Sequence, residues 1–202
     1  ENHLLPTLAP PATATPMPAS TSRDSSLDSR QHSVHGTRDA DGARTRLAVF
    51  IDVQNIYYTT RDTFGRQFDY RRLWAELERL GSIQHAYAYA IDRGDPKQQQ
   101  FQQRLREIGF TVKLKPFIQR GDGSAKGDWD VGITIDIMQT AAAVDSIVLL
   151  SGDGDFDLLL TKVKEIAEVK TQVYGVPALT ANSLINACDI FNAIGQSIFF
   201  SF

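Results

Sequence analysis

The 202-residue chain has one cysteine, Cys188, and no stretch of 18 consecutive apolar residues. A single thiol excludes an intramolecular disulfide framework and a cysteine-based zinc cluster, and it fits a reducing compartment. Without a long apolar run there is no membrane-spanning helix to expect. Histidine is also scarce. Of His3, His32, His35 and His85, only the last stands within the stretch read below as folded, so a histidine-based zinc site or serine-type triad has little support. No Phe, Tyr or Trp precedes residue 47, and the large aliphatic residues before it are Leu4, Leu5, Leu8, Leu27 and Val34. Five of the eight prolines fall in the first 18 residues. Such a segment buries too little apolar surface to offset chain entropy, so residues 1–46 are expected to be a disordered tail, with one folded domain over 47–202. The tail has no basic region followed by an apolar run, as a secretory signal would, and its acids argue against a transit peptide. The expectation is a cytoplasmic protein.

What is present alternates between two apolar periods. Residues 47–51, 83–91, 110–114, 146–150 and 170–174 read as strands, and the first and fourth are continuously apolar, as strands buried on both faces are. Between them, Tyr70, Leu73, Trp74, Leu77 and Leu80 follow helical spacing behind a cap at Asp69, with Gly81 as a natural C′ residue. A second helix opens at Asp95-Pro96 and ends at Gly109. A loop rich in glycine and charge spans 119–126, a helix follows over about 130–142, and another carries Phe156, Leu159, Leu160, Val163 and Ile166. Thr180 is expected to cap a last helix through Cys188. Alternating strands and helices imply a parallel sheet covered on both faces, with its site at the carboxyl ends of the strands.

Acids collect where those ends should be. Asp52 follows strand one, Asp153, Asp155 and Asp157 follow strand four, and Asp128 and Asp130 open the helix after the loop. Gly127 to Thr161 holds seven acids and no Lys or Arg, whereas Lys113 to Lys126 holds Lys113, Lys115, Arg120 and Lys126 against Asp122 alone. Clustered carboxylates repel, and a bound cation relieves them. An all-oxygen donor set favours Mg²⁺ or Mn²⁺, and the basic loop suits a phosphodiester backbone. Simpler roles compete. Asp153 or Asp155 can cap the helix near Phe156, and Asp128 or Asp130 can cap the next helix. Asp145 and Asp157 suit a solvated surface, Asp136 stays open, and core or rim packing is the default for Tyr57, Tyr58 and Trp129. An EF-hand reading of residues 153–164 fails because Leu158 stands where Gly is needed and Lys164 where Glu is needed. No P-loop or G-x-G-x-x-G is present.

Three motifs in this order resemble the NYN family, specifically its LabA-like branch within the PIN-like nuclease superfamily. They are Val49-Phe50-Ile51-Asp52-Val53-Gln54-Asn55, Lys126-Gly127-Asp128-Trp129-Asp130-Val131 and Leu150-Ser151-Gly152-Asp153-Gly154-Asp155-Phe156. Ser183, Leu184 and Cys188-Asp189 match more weakly, and Gln54 stands where Gly or Tyr is common. The resemblance implies a Rossmann-like, PIN-like three-layer α/β sandwich with about five parallel strands in the order 3-2-1-4-5. It also implies a divalent-metal ribonuclease site. Asp52 and Asp153 would be primary ligands, Asp130 would complete the site and Asp155 would be a further or water-mediated ligand. Asn55 would orient Asp52 or the substrate, Ser151 would support the turn after strand four, and Lys126, beside Arg120, would contact phosphate. RNA is the expected partner. The alternatives are a catalytically silent RNA-binding or protein-binding module and a phosphatase or nucleotide-handling enzyme on the same sheet. The apolar Phe199-Phe200-Ser201-Phe202 end leaves a homodimer or a protein partner open.

Overall fold

The computed structural model describes residues 42–119, 121 and 125–195. The expected tail lies outside the described residues as far as Asp41, as do Arg120 and residues 199–202. In chain order the elements are β1 (Arg46–Asp52), α1 (Val53–Phe64), α2 (Tyr70–Leu80), β2 (Ser82–Asp92), α3 (Pro96–Ile108), β3 (Thr111–Pro116), β4 (Ile118–Gln119), β5 (Ala125–Lys126), α4 (Asp130–Thr140), β6 (Ser146–Leu150), α5 (Asp157–Ala167), β7 (Lys170–Gly175), α6 (Asn182–Ala187) and β8 (Ile190–Ala193). Six strands form one parallel sheet in the order β3-β2-β1-β6-β7-β8. This is the expected order with one strand added at the β7 edge.

Residue alternation along β1 and β6 builds the two cores. Leu47, Val49 and Ile51 of β1, with Val148 and Leu150 of β6, pack beside Ile56, Tyr70, Leu73, Leu77 and Leu105 from α1, α2 and α3. Ala48, Phe50, Ile147 and Leu149 face the other way, against Ile133, Ile137, Leu160, Val163 and Leu184 from α4, α5 and α6. The central strands are thus apolar on both faces because each face has its own helical layer. Among the described residues no helix is long and apolar enough to cross a membrane.

Several local expectations hold. Asp69 caps α2 by accepting from the N–H groups of Arg71 and Arg72, and Asp95 caps α3 with Pro96 in the first turn. Others do not. Gly81 is extended, not left-handed. Thr180 does not cap α6, because its hydroxyl donates to Val176 O at 2.8 Å and Ala181 takes the cap position without a side-chain bond. That helix stops at Ala187, one residue before Cys188. Neither Asp128 nor Asp130 caps α4, whose cap position is Trp129. Residues 118–126 are not purely loop, since β4 and β5 pair as a short antiparallel ladder.

Helix α1 and strand β8 have no counterpart in the sequence reading. The α1 segment Val53-Gln54-Asn55-Ile56-Tyr57-Tyr58-Thr59-Thr60 is rich in β-branched and aromatic residues, which are weak helix formers. It is a helix because Asp52 caps it and because Val53, Ile56 and Thr60 are buried on one face. Strand β8 has four residues, none of them fully buried, so it carries no periodic signal.

Candidate metal centre

The main candidate acids stand at the carboxyl edge of the sheet. Asp52 ends β1 and enters α1, where its carboxylate accepts from Asn55 N–H at 3.3 Å. On its other side it accepts from the Ser151 hydroxyl at 3.2 Å. Ser151 is fully buried after β6, and its oxygen also accepts from Asp153 N–H at 3.2 Å. Asn55 closes the same seam, its side-chain oxygen accepting from Gly152 N–H at 2.9 Å. The ends of β1 and β6 are therefore latched by two side chains, Ser151 and Asn55. Gly152 is needed there, since a Cβ would fall 2.5 Å from Leu179 O. Asp153 then accepts from Asp155 N–H at 3.0 Å, which fixes the turn leading into α5.

Asp130 arrives from the opposite side, in the first turn of α4. The preceding residue anchors it. The Trp129 indole N–H donates to Ala90 O of β2 at 2.8 Å, and the Lys115 ammonium lies 4.3 Å over the ring while donating to Asp128 O at 2.9 Å. Carboxylate oxygens of Asp130, Asp153 and Asp155 all lie within 4.8 Å of one another. Asp52 is not part of that trio but is close enough to act on it electrostatically. Burial raises the Asp52 carboxyl above its usual range, against the lowering effect of its Asn55 and Ser151 hydrogen bonds, and Asp153 and Asp128 raise it further. Burial, then the charges of Asp153, Asp128, Asp52 and Asp155, push Asp130 up to about 6. Among the described residues no ion pair joins a cation to any of these five acids. An all-carboxylate donor set lacking a cationic partner suits a hard divalent cation.

Asp153 has the capping role considered for it, by serving the turn that begins at Gly154. The dual role is consistent, because one carboxylate oxygen can cap while the other faces the cluster. Asp136, left open by the sequence, is structural. Its carboxylate accepts from Tyr89 OH at 2.7 Å and pairs with the Lys113 ammonium at 2.5 Å. Asp145 pairs with Arg46 at the amino edge, far along β6 from the cluster. Asp189 pairs with Lys164 and accepts from Thr171 N–H, which ties β7 to the segment before β8. Two members of the basic stretch, Lys113 and Lys115, thus serve internal contacts. The Lys126 backbone lies in β5, while its side chain, like all of Arg120, lies outside what is described. Trp129 packs inside and Tyr57 and Tyr58 are exposed on α1. The anchoring of Asp130 through Trp129 had no sequence signal, because it depends on which strand lies beneath the ring.

Residues 46–195 match the NYN domain. The chain belongs to that family. It is 34% identical over 157 residues to the Low amplitude and bright protein LabA of Synechococcus elongatus, a span covering 72% of this chain and 81% of that protein. This places the NYN domain in the LabA-like branch. A solved structure of a protein of unknown function from Vibrio parahaemolyticus is 48% identical, superposes with a TM-score of 0.74, and covers 78% of this chain and 97% of its own.

Proposed function

We propose that this NYN protein is a divalent-cation-dependent endoribonuclease whose centre is built by Asp52, Asp130, Asp153 and Asp155. The reading is carried by one observation. Three carboxylates from two separate elements converge within 4.8 Å, and no described cation neutralises them. Repulsion of that kind is relieved when a cation binds. Asp130, Asp153 and Asp155 would hold Mg²⁺ or Mn²⁺ directly, with Asp52 completing the field from β1. The cation supplies Lewis-acid neutralisation of phosphoryl charge and activation of water. The chain's own residues do the rest. Ser151 keeps a proton directed at Asp52, so that carboxylate presents a fixed orientation. Asn55 holds the Gly152 peptide and with it the Asp153 turn. Trp129 and Lys115 keep the start of α4, and so Asp130, in register with the sheet. Lys126 and Arg120 are proposed phosphate contacts on the RNA strand, and the expected tail, shortened to residues 1–41 because Arg44, Thr45 and Arg46 bond into the domain, is a tether to it.

The test is RNA cleavage by the full chain with Mn²⁺. Cleavage that is abolished by EDTA and by Asp153→Asn is the expected result. RNA that is bound in a salt-sensitive way but left intact would instead establish a silent RNA-binding module, and turnover of a small phosphoester with RNA untouched would establish a phosphatase.

A further inference from the structure

A cavity of about 210 Å³ opens beside the acids, lined by Gln54, Ile91, Arg93, Phe117, Gly127 and Asp128. It lies below the roughly 300–1,000 Å³ usual for small-molecule pockets, so it suits a single ring system. Its lining comes from the same two segments that carry site acids: Gln54 stands two residues after Asp52 at the end of β1, and Asp128 two residues before Asp130 at the start of α4. One wall is a stacking surface. The Arg93 guanidinium lies 4.6 Å from the centroid of the Phe117 ring, forming a two-layer cationic and aromatic plate. Ile91 supplies an apolar side, and Gln54 offers a group that both donates and accepts hydrogen bonds. Arg93 is exposed and engages no acid in any ion pair among the described residues. The Phe117 ring is held at its backbone, whose N–H donates to Asp92 O at 3.0 Å.

We infer that this cavity is a nucleobase subsite, in which one unpaired base of the bound RNA strand stacks on the Arg93–Phe117 plate next to the phosphodiester held at the acid cluster. The inference rests on the ribonuclease reading above and refines it. Guanidinium planes and phenyl rings are the surfaces on which splayed-out RNA bases stack, and they tolerate any base because each has a π face. A stacked base fixes the strand's register, so the cavity would decide which phosphodiester reaches the carboxylates. No sequence signal marks it, because Arg93 follows β2 and Phe117 follows β3, and the two meet only where those strands pair.

The test is equilibrium binding of the full chain to a short fluorescent single-stranded RNA, with Ca²⁺ replacing Mn²⁺ to prevent turnover. Matched strands carry one abasic nucleotide at each position in turn. Wild type is expected to lose roughly 5- to 150-fold in affinity at one abasic position. Phe117→Ala and Arg93→Gln should weaken binding to the intact strand and shrink that abasic penalty, and Phe117→Trp should retain both. Arg93→Gln alters an exposed side chain, so it reports even if Phe117→Ala misfolds. Equal affinity for intact and abasic strands overturns the subsite while leaving the RNA reading in place. So does an Arg93→Gln loss that is the same on every strand, which marks a phosphate contact only. No RNA binding by wild type removes both readings together.

Discussion

Asp130 is withdrawn partly from water among four like charges, and its carboxyl sits near 6 rather than near its usual value. A proton and a divalent cation compete for it. Cation affinity should therefore climb about tenfold per pH unit below 6 and level off above it, which calorimetric titration with Mn²⁺ at stepped pH would measure. The sign for stability is opposite. The folded state holds that proton more tightly than the unfolded chain does, so the ion-free protein loses stability as pH rises from about 4 through 6. Asp130→Asn should accordingly raise the melting temperature of the chelated protein at pH 7 while abolishing its response to Mn²⁺. Ser151→Ala offers a contrasting case. It strips two hydrogen bonds from a fully buried position, and a loss of about 1–3 kcal/mol in denaturant unfolding is expected. At this scale the positions of the candidate acids were legible, since Asp52 and Asp153 stand at or just after the ends of apolar strands and Asp130 opens the helix after the basic loop. The residues that steady them, Trp129 and Lys115, were not, because their partners lie in elements distant along the chain.

Elements were legible in proportion to how strongly they are amphipathic. Helix α2 declares itself through Leu73, Leu77 and Leu80 and a capping Asp69, and α3 through Asp95-Pro96 and Gly109. Removing the α2 cap by Asp69→Ala should cost about 1 kcal/mol, read as a shift of the urea midpoint without a change in slope. Gly109 is a stricter requirement. Its φ is +134°, and an added Cβ would fall 2.6 Å from the Trp74 ring. Gly109→Ala should be the costlier of the two in the same measurement, because backbone strain adds to a steric clash. Helix α1 hid because its residues favour strands. Its formation depends on Asp52 and on burial of Ile56, so one of the proposed site acids is also the element's start signal. That coupling implies that Asp52→Asn, which keeps a capping oxygen, separates the two roles better than Asp52→Ala.

For the whole molecule, the two ends of the sheet respond to pH in opposite ways. At the amino edge the Arg46 guanidinium, reinforced by the Arg46 N–H, holds Asp145 below its usual range, so that contribution is present above about pH 4 and lost as pH falls further. At the carboxyl edge Asp52 and Asp130 are raised, so their contribution declines as pH rises from there. The chelated protein should be most stable at roughly pH 4–5, and saturating Mn²⁺ should move that optimum toward neutrality. At a hundred times its Kd the ion adds about 2.7 kcal/mol, on the order of 5–10 °C in melting temperature for a domain of this size, readable by calorimetry with and without EDTA. The parallel sheet and its two helical layers followed from the alternation of apolar periods and the strand order from the family resemblance, whereas β8 and the short β4–β5 ladder are too brief to carry a period. The latch between Ser151 and Asp52 also has a bearing on timing. Its partners are 99 residues apart. During synthesis at about 5–20 residues per second, Asp52 waits roughly 5–20 s for the serine that will hold it. Until β6 is made, the carboxylate has only its helix, and the cluster that repels it does not yet exist. The repelling contacts of the cluster are thus completed only after β1, β2 and β3, one half of the sheet, have been made.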